Sequence, residues 1–221
     1  MTVFNMDPSF VQNFVNLDHW LFQQINGQGS NAFFDFLFPF LTDLNKQAWL
    51  PVAVLALCLI WAVKQRYRAL MWIMTLVIAI GVSDLVSYRV VKPLFDRARP
   101  EQAGVPVVLR TSHHSGSSFP SNHAANAFAG ATVLSSAFPV GTPFFFLLAA
   151  LIAYSRVYVG VHFPGDVFAG ALLGWGIGFM TKIVLNKWIT KAELSEEDRF
   201  ERGYKSAERT RRAELMKKTN K

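Results

Sequence analysis

The chain has 221 residues, a length that suits one domain. Hydrophobic residues make up 52%, twenty of them Phe, and mean hydropathy is positive; few soluble domains carry that balance, and it points to an integral membrane protein. The formal net charge is +7, and from Lys182 onward twelve Lys and Arg face seven Asp and Glu. The acids interleaved there, with only Phe200 and Tyr204 as aromatics beyond residue 190, argue against nucleic acid and for a cytoplasmic end beside anionic lipid.

Residues 1–30 lack a basic start, a continuous apolar run and a small-residue cleavage site, so no signal peptide is expected. Phe10 to Leu44 is apolar but broken by Asp18, Asn26, Gly27, Gly29, Asp35 and Asp43. This pattern predicts two short amphipathic helices lying in the membrane interface, with INGQGSN as the turn between them. A tilted span through Asn31–Leu44 is the competing reading, and fourteen residues is short for it. Five longer apolar stretches follow, at about Gln47–Val63, Ala69–Val91, Pro120–Phe138, Pro143–Val159 and Pro164–Leu185. The fold class expected is therefore an all-α polytopic transmembrane bundle of five to six spans. Residues 1–190 form the membrane domain, with 1–46 interfacial and 47–190 the core, and 191–221 form a basic tail. Cys58, the lone cysteine, lies in an apolar run and reads as a small core residue. Gly170, Gly174 and Gly178 recur every fourth residue, and Ala124, Ala125, Ala127 and Ala129 cluster in an earlier span; both read as smooth faces for close helix packing.

The basic run KQRYR, Lys64 to Arg68, reads as a cytoplasmic loop between the first two long spans. Alternating from there puts Lys92 outside, PVGT inside, Arg156 outside, and the basic tail inside. Four Asp and one Lys before Gln47 fit an outer N-terminal region. One segment departs from the charge bias: 92–119 carries Lys92, Arg97, Arg99 and Arg110 on the outer side.

Three polar stretches share that outer side: KPLFDRARP from Lys92, FPSNH ending at His123, and SRVYVGVHFPGD from Ser155 to Asp166. Singly, each has a structural explanation. Lys92 could snorkel at a helix end, Asp166 could cap the last helix, and His123 could be a core histidine. Together they form a set suited to phosphoryl transfer, in which catalysis is mainly positioning and charge stabilisation. Arg offers a planar fork to phosphate oxygens and Lys a point charge. Ser121 and Asn122 at a helix start add donors and a favourable dipole. A neutral histidine can attack phosphorus when an aspartate orients it, and a second histidine can protonate the leaving oxygen. The set needs no metal, and the sequence has no compact carboxylate or cysteine cluster to hold one. No cofactor is expected.

The motifs Lys92-x6-Arg99-Pro100, Pro120-Ser121-Asn122-His123 and Ser155-Arg156-x5-His162-x3-Asp166 resemble the signature of the type 2 phosphatidic acid phosphatase (PAP2) superfamily of lipid phosphatases. That signature is K-x6-RP, PSGH and SR-x5-H-x3-D; Asn122 stands where the family usually has glycine. The resemblance implies a lipid phosphatase with His162 as nucleophile, Asp166 as its orienter and His123 as general acid and then base. Lys92, Arg99, Ser121 and Arg156 would bind phosphate. A backbone amide contact at Asn122 is expected to survive, because Asn tolerates unusual backbone angles. By the same resemblance the protein belongs in the bacterial inner membrane, with its site facing outward and its partners the bilayer and a lipid phosphate or diphosphate. Undecaprenyl diphosphate is the favoured substrate; phosphatidylglycerophosphate, phosphatidic acid and the 1-phosphate of lipid A are alternatives. A lipid phosphotransferase would use the same residues, and a transporter or scaffold would predict a broken motif set. The spans argue against a soluble haloperoxidase of the same family.

His113 and His114 read as solvated residues of a TSHHSGSS loop. Asp84, inside a span about two turns below Lys92, is expected to pair with a cation of the site or with Ser87 and Tyr88. Arg89 is read either as a lipid headgroup contact or as a snorkelling residue.

Overall fold

A computed structural model describes residues 8–43, 49–113 and 115–219. His114 and the start of the Gln47–Val63 stretch lie outside the described residues. Helices account for almost all regular structure, and no strand occurs among the described residues.

The N-terminal pair forms as the broken pattern demands. Helix α1 (Pro8–Gln23) ends in a π-turn over Gln24–Gln28, and α2 (Ala32–Thr42) begins after Asn31, whose side chain accepts from Phe34 N at 3.0 Å as its N-cap. Their amphipathicity faces apolar side outward: Val11, Phe14, Leu17 and Trp20 of α1, and Phe33, Phe36 and Phe40 of α2, are exposed, while Asp18 and Asn26 are buried.

Helix α3 (Trp49–Leu85) corrects one expectation. Residues 64–68 do not turn; the two stretches expected as separate spans run as one helix, so spans do not alternate there. Lys64, Gln65, Arg66 and Arg68 are straight-chain helix formers, and no Gly, Pro, Asn or Asp interrupts them. The helix continues through a π-segment (Val86–Val91) into a single turn, α4 (Lys92–Phe95), which Asp96 closes in a left-handed conformation (φ 38°). Helix α5 (Asn122–Ala137) and helix α6 (Thr142–Tyr158) follow close to their expected positions, as does the start of α7 (Pro164–Thr219). The basic tail is not a separate element: α7 carries on through it, with Glu201–Lys205 and Glu208–Arg212 pairs at i,i+4 spacing. Three helical segments, Tyr67–Gln102, Pro139–Tyr158 and Pro164–Trp188, are long and apolar enough to cross a membrane, and α2 is a shorter apolar helix.

The glycine row sets the core. A Cβ on Gly170 would stand 2.5 Å from Ser121 O, one on Gly178 2.8 Å from Ala129 O, and one on Gly174 would collide with Ala125 O. The pairings 170–121, 174–125 and 178–129 rise together, so α5 and α7 run parallel, backbone against backbone. Helices α3 and α6 run the other way: Trp72 packs near Val133 and Trp61 on Phe138, while Phe128 meets Phe146 and Ala124 shares a cluster with Val157. One end of this four-helix bundle thus collects the end of α3–α4, the end of α6, and the starts of α5 and α7.

Candidate active site

All three motifs meet at that end. A cleft of about 690 Å³ is lined by Lys92, Arg99, Asn122, His123, Arg156 and His162, with Tyr88, Arg89 and the 115–117 backbone at its rim. Ser121 and Asp166, also expected at the site, sit directly behind it; both are fully buried, and Ser121 N donates to Asp166 O at 3.0 Å. The Ser121 hydroxyl, the N-cap of α5, makes no hydrogen bond.

Lys92 and Arg99 are held by neutral acceptors. Lys92 Nζ donates to Ser117 O (2.7 Å) and Pro120 O (3.0 Å). Arg99 donates from Nε to Gly116 O (3.0 Å) and from Nη1 to Val161 O (2.9 Å). Neither makes an ion pair among the described residues. Arg156, 1% exposed on α6, donates from Nη1 to the Thr42 hydroxyl at 2.6 Å. Carbonyls aim Lys92 and Arg99 without cancelling their charge, which leaves that charge available to an anion.

His162 lies in the Gly160–Phe163 turn between α6 and α7, 3% exposed. Gly160, at φ +89°, makes that turn; a Cβ there would meet Val107, Val108 O and Asn26 at 2.9–3.2 Å. His162 Nε2 faces the cleft, 3.5 Å from Arg99 Nη1. Burial pushes its pKa down to about 3; the Asp166 carboxylate opposes this and the Arg156 and Arg99 charges add to it. The imidazole is therefore neutral at physiological pH.

The expected hydrogen bond from Asp166 to the far nitrogen of His162 is not formed. Asp166 Oδ2 stands 3.6 Å from Nδ1, and Nδ1 has no hydrogen-bond partner. The carboxylate is engaged elsewhere: Oδ2 accepts from Phe163 N (2.8 Å) and Oδ1 from Arg97 Nη1 (2.7 Å). Asn122 also departs from expectation. It is the first residue of α5 and needs no unusual backbone angle, since Asp96 is the one non-glycine residue with positive φ among those described. Its side chain donates to Asp84 Oδ1 at 2.9 Å, and Asn126 does so at 3.3 Å. Asp84 thus meets two amides of α5, and its charge also acts on Lys92. His113 pairs with Glu101 at 2.6 Å, mostly exposed, and Arg89 lies over the Tyr88 ring at the cleft rim.

Sequence reasoning missed Arg97, Asp18, Thr42 and the Gly116–Ser117 carbonyls. Arg97 and Asp18 had a faint signal: a cation among the unread positions of the first motif, and the lone acid of an amphipathic helix.

Comparison with known proteins decides the family. The PAP2 superfamily profile matches residues 72–190, more than half of the chain. The chain belongs to the PAP2 superfamily. Among relatives of this PAP2 protein, a lipid A 4'-phosphatase of Bacteroides thetaiotaomicron is 28% identical over 179 residues, covering 78% of each chain. An undecaprenyl-diphosphatase of Sulfolobus acidocaldarius is 34% identical over 147 residues, 66% of this chain and 68% of that protein. The crystal structure of Aquifex aeolicus LpxE superposes with a TM-score of 0.57 at 29% identity, covering 82% of this chain and 98% of that one. A PAP2-type phosphatidylglycerolphosphate phosphatase from Bacillus subtilis shares the fold, with a TM-score of 0.61 at 23% identity. The PAP2 protein is accordingly a membrane phosphatase, a phosphoric monoester or diphosphate hydrolase.

Proposed function

We propose that this phosphatase removes the terminal phosphate of a lipid phosphate or diphosphate through a phosphohistidine on His162. The observation that carries the reading is a neutral, buried imidazole whose Nε2 opens into a cleft lined by Lys92, Arg99 and Arg156. Nε2 attacks phosphorus, the bond to the leaving oxygen breaks, and His123 gives that oxygen a proton. Water then attacks the phosphohistidine while His123 takes back a proton, which frees orthophosphate and neutral His162. Lys92, Arg99, Arg156, the Ser121 hydroxyl and the start of α5 at Asn122 hold the phosphate oxygens. Asp166, 3.6 Å from Nδ1, balances the imidazolium charge formed on attack.

Undecaprenyl diphosphate is the favoured substrate, supported by the Sulfolobus relative. A lipid A phosphate is the second reading, favoured by the Bacteroides relative, which covers more of the chain. In this reading the catalytic unit is 1–190, a multi-span helical bundle of the bacterial inner membrane. Its cleft faces outward, and the 191–221 extension lies in the cytoplasm. Purified protein given a panel of lipid phosphates and diphosphates in EDTA tests it. Phosphate release that survives EDTA and disappears in His162→Ala supports the mechanism; release from His162→Ala at the wild-type rate overturns it.

A further inference from the structure

We propose that helix α1 is a positioning element of the active site, with Asp18 and Arg97 as positioning residues that fix the Asp166 carboxylate beside His162. This rests on the reading of His162 as nucleophile and Asp166 as its partner.

Three observations carry it. Arg97 forks between two carboxylates, with Nη1 on Asp166 Oδ1 at 2.7 Å and Nη2 on Asp18 Oδ2 at 2.6 Å. Asp18 is 4% exposed and Asp166 0%. The other Asp18 oxygen accepts from Gly165 N at 2.7 Å, so α1 grips the Asp166 segment twice, through Arg97 and through the backbone beside it. Gly165 permits this approach, since a Cβ there would crowd the carboxylate at 3.1 Å. Phe163, the residue after His162, is held by the same helix, with His19 stacked on it at 4.8 Å and Phe22 edge-on at 5.3 Å, while Arg97 covers it at 4.4 Å.

Charge gives the second step. Lys92 and Arg99 are held by neutral groups, whereas Arg97 has two carboxylates. Asp18, Arg97 and Asp166 form a triad whose Asp166 carboxylate stands 3.6 Å from His162 Nδ1. That negative charge is worth most when His162 turns cationic, with Nε2 bonded to phosphorus and Nδ1 keeping its proton. Arg97 and Phe163 N–H leave Asp166 no freedom to swing away from that proton. The triad thus stabilises the phosphorylated enzyme more than the resting one, and its loss should fall on turnover and leave substrate affinity alone.

The test measures phosphate release by purified full-length protein in detergent. The substrate is undecaprenyl diphosphate, or whichever panel lipid the wild type cleaves fastest. Asp18→Asn and Arg97→Gln are expected to lower kcat by roughly 10- to 100-fold, the usual cost of losing an orienting partner behind a reacting group. KM should stay within about twofold, because a group felt only in the transition state leaves ground-state binding unchanged. Arg97→Lys, which keeps the charge, should recover part of the loss. In an Asp166→Asn background, Asp18→Asn should cost little more, because Asp18 acts through Asp166. Wild-type kcat in both single variants overturns the proposal. So does a raised KM with unchanged kcat, or losses that multiply fully in the double variant. Should Arg97→Gln aggregate, the near-isosteric Asp18→Asn and the double variant decide. Activity of His162→Ala would sink the underlying mechanism, whereas an inert His162→Ala beside a fully active Asp18→Asn would sink this inference alone.

Discussion

Gly174→Ala isolates what the close packing of α5 and α7 contributes. Real Cβ atoms essentially never approach another heavy atom within 3.0 Å. At Gly170 the gap to Ser121 O is 2.5 Å, so even there a methyl would force the helices apart by at least 0.5 Å (3.0 minus 2.5). At Gly174 the obstacle is the Ala125 carbonyl, closer still, and rigid backbone on both sides. Overpacking of this kind costs about 1–3 kcal/mol. The same displacement reaches the chemistry, because His123 lies one residue past the start of α5 and Asp166 within the first turn of α7. Misplacing reacting groups by about 1 Å can cost about 100-fold in rate, so a loss of one to two orders of magnitude in kcat is expected. Gly176→Ala is the internal control. Nothing lies within 4 Å of its would-be Cβ, and Ala is about 1 kcal/mol better than Gly inside a helix. Thermal unfolding and phosphate release, measured on both variants in one detergent, give the comparison. A Gly174→Ala protein as stable and active as wild type would refute backbone-to-backbone packing as the device that aligns the two helix starts.

His162→Ala and His123→Ala should each abolish phosphate release while the protein still elutes as a folded species from size exclusion; full activity in either removes it from the mechanism. Asp166→Asn should slow kcat with KM nearly unchanged, which steady-state kinetics will read directly. Gly160→Ala, forced into φ +89° against Val107 and Val108, should lower stability by about 1–3 kcal/mol, visible as a lower unfolding midpoint. The His162 pKa is about 3 in the folded protein against 6.5 for the free side chain. Because the folded value is the lower one, the unfolded chain takes up a proton first. The His162 contribution to stability is thus intact above pH 6.5 and drains away as pH falls toward 3, by at most about 1.4 kcal/mol per pH unit. Replacing His162 with Gln should flatten that dependence, and an unchanged slope would contradict the buried neutral imidazole.

The sequence was most legible where chemistry is carried by residue type. Lys92, Arg99, His123, Arg156 and His162 announce themselves by order and spacing, and all five line one cleft. The glycine row was equally plain, since only missing side chains let helices approach so closely. The span boundary at 64–68 was not legible, because charge marks an interface and says nothing about a turn; without turn residues the backbone stayed helical. Asp18 and Arg97 are seventy-nine residues apart, and no local pattern reports such a contact. The carbonyls of Gly116, Ser117 and Pro120 were invisible for a simpler reason: every residue has one, and only the fold decides which point at a cation.

Those carbonyl tethers bear on how the enzyme lives in solution. Two cations steadied by neutral oxygens stay open to exchange between anions. On the proposed mechanism, each turnover leaves orthophosphate on the groups that the next lipid headgroup must reach. Exchange of that product against incoming lipid would then be a step of the cycle in its own right, and added phosphate should slow the processing of membrane lipid.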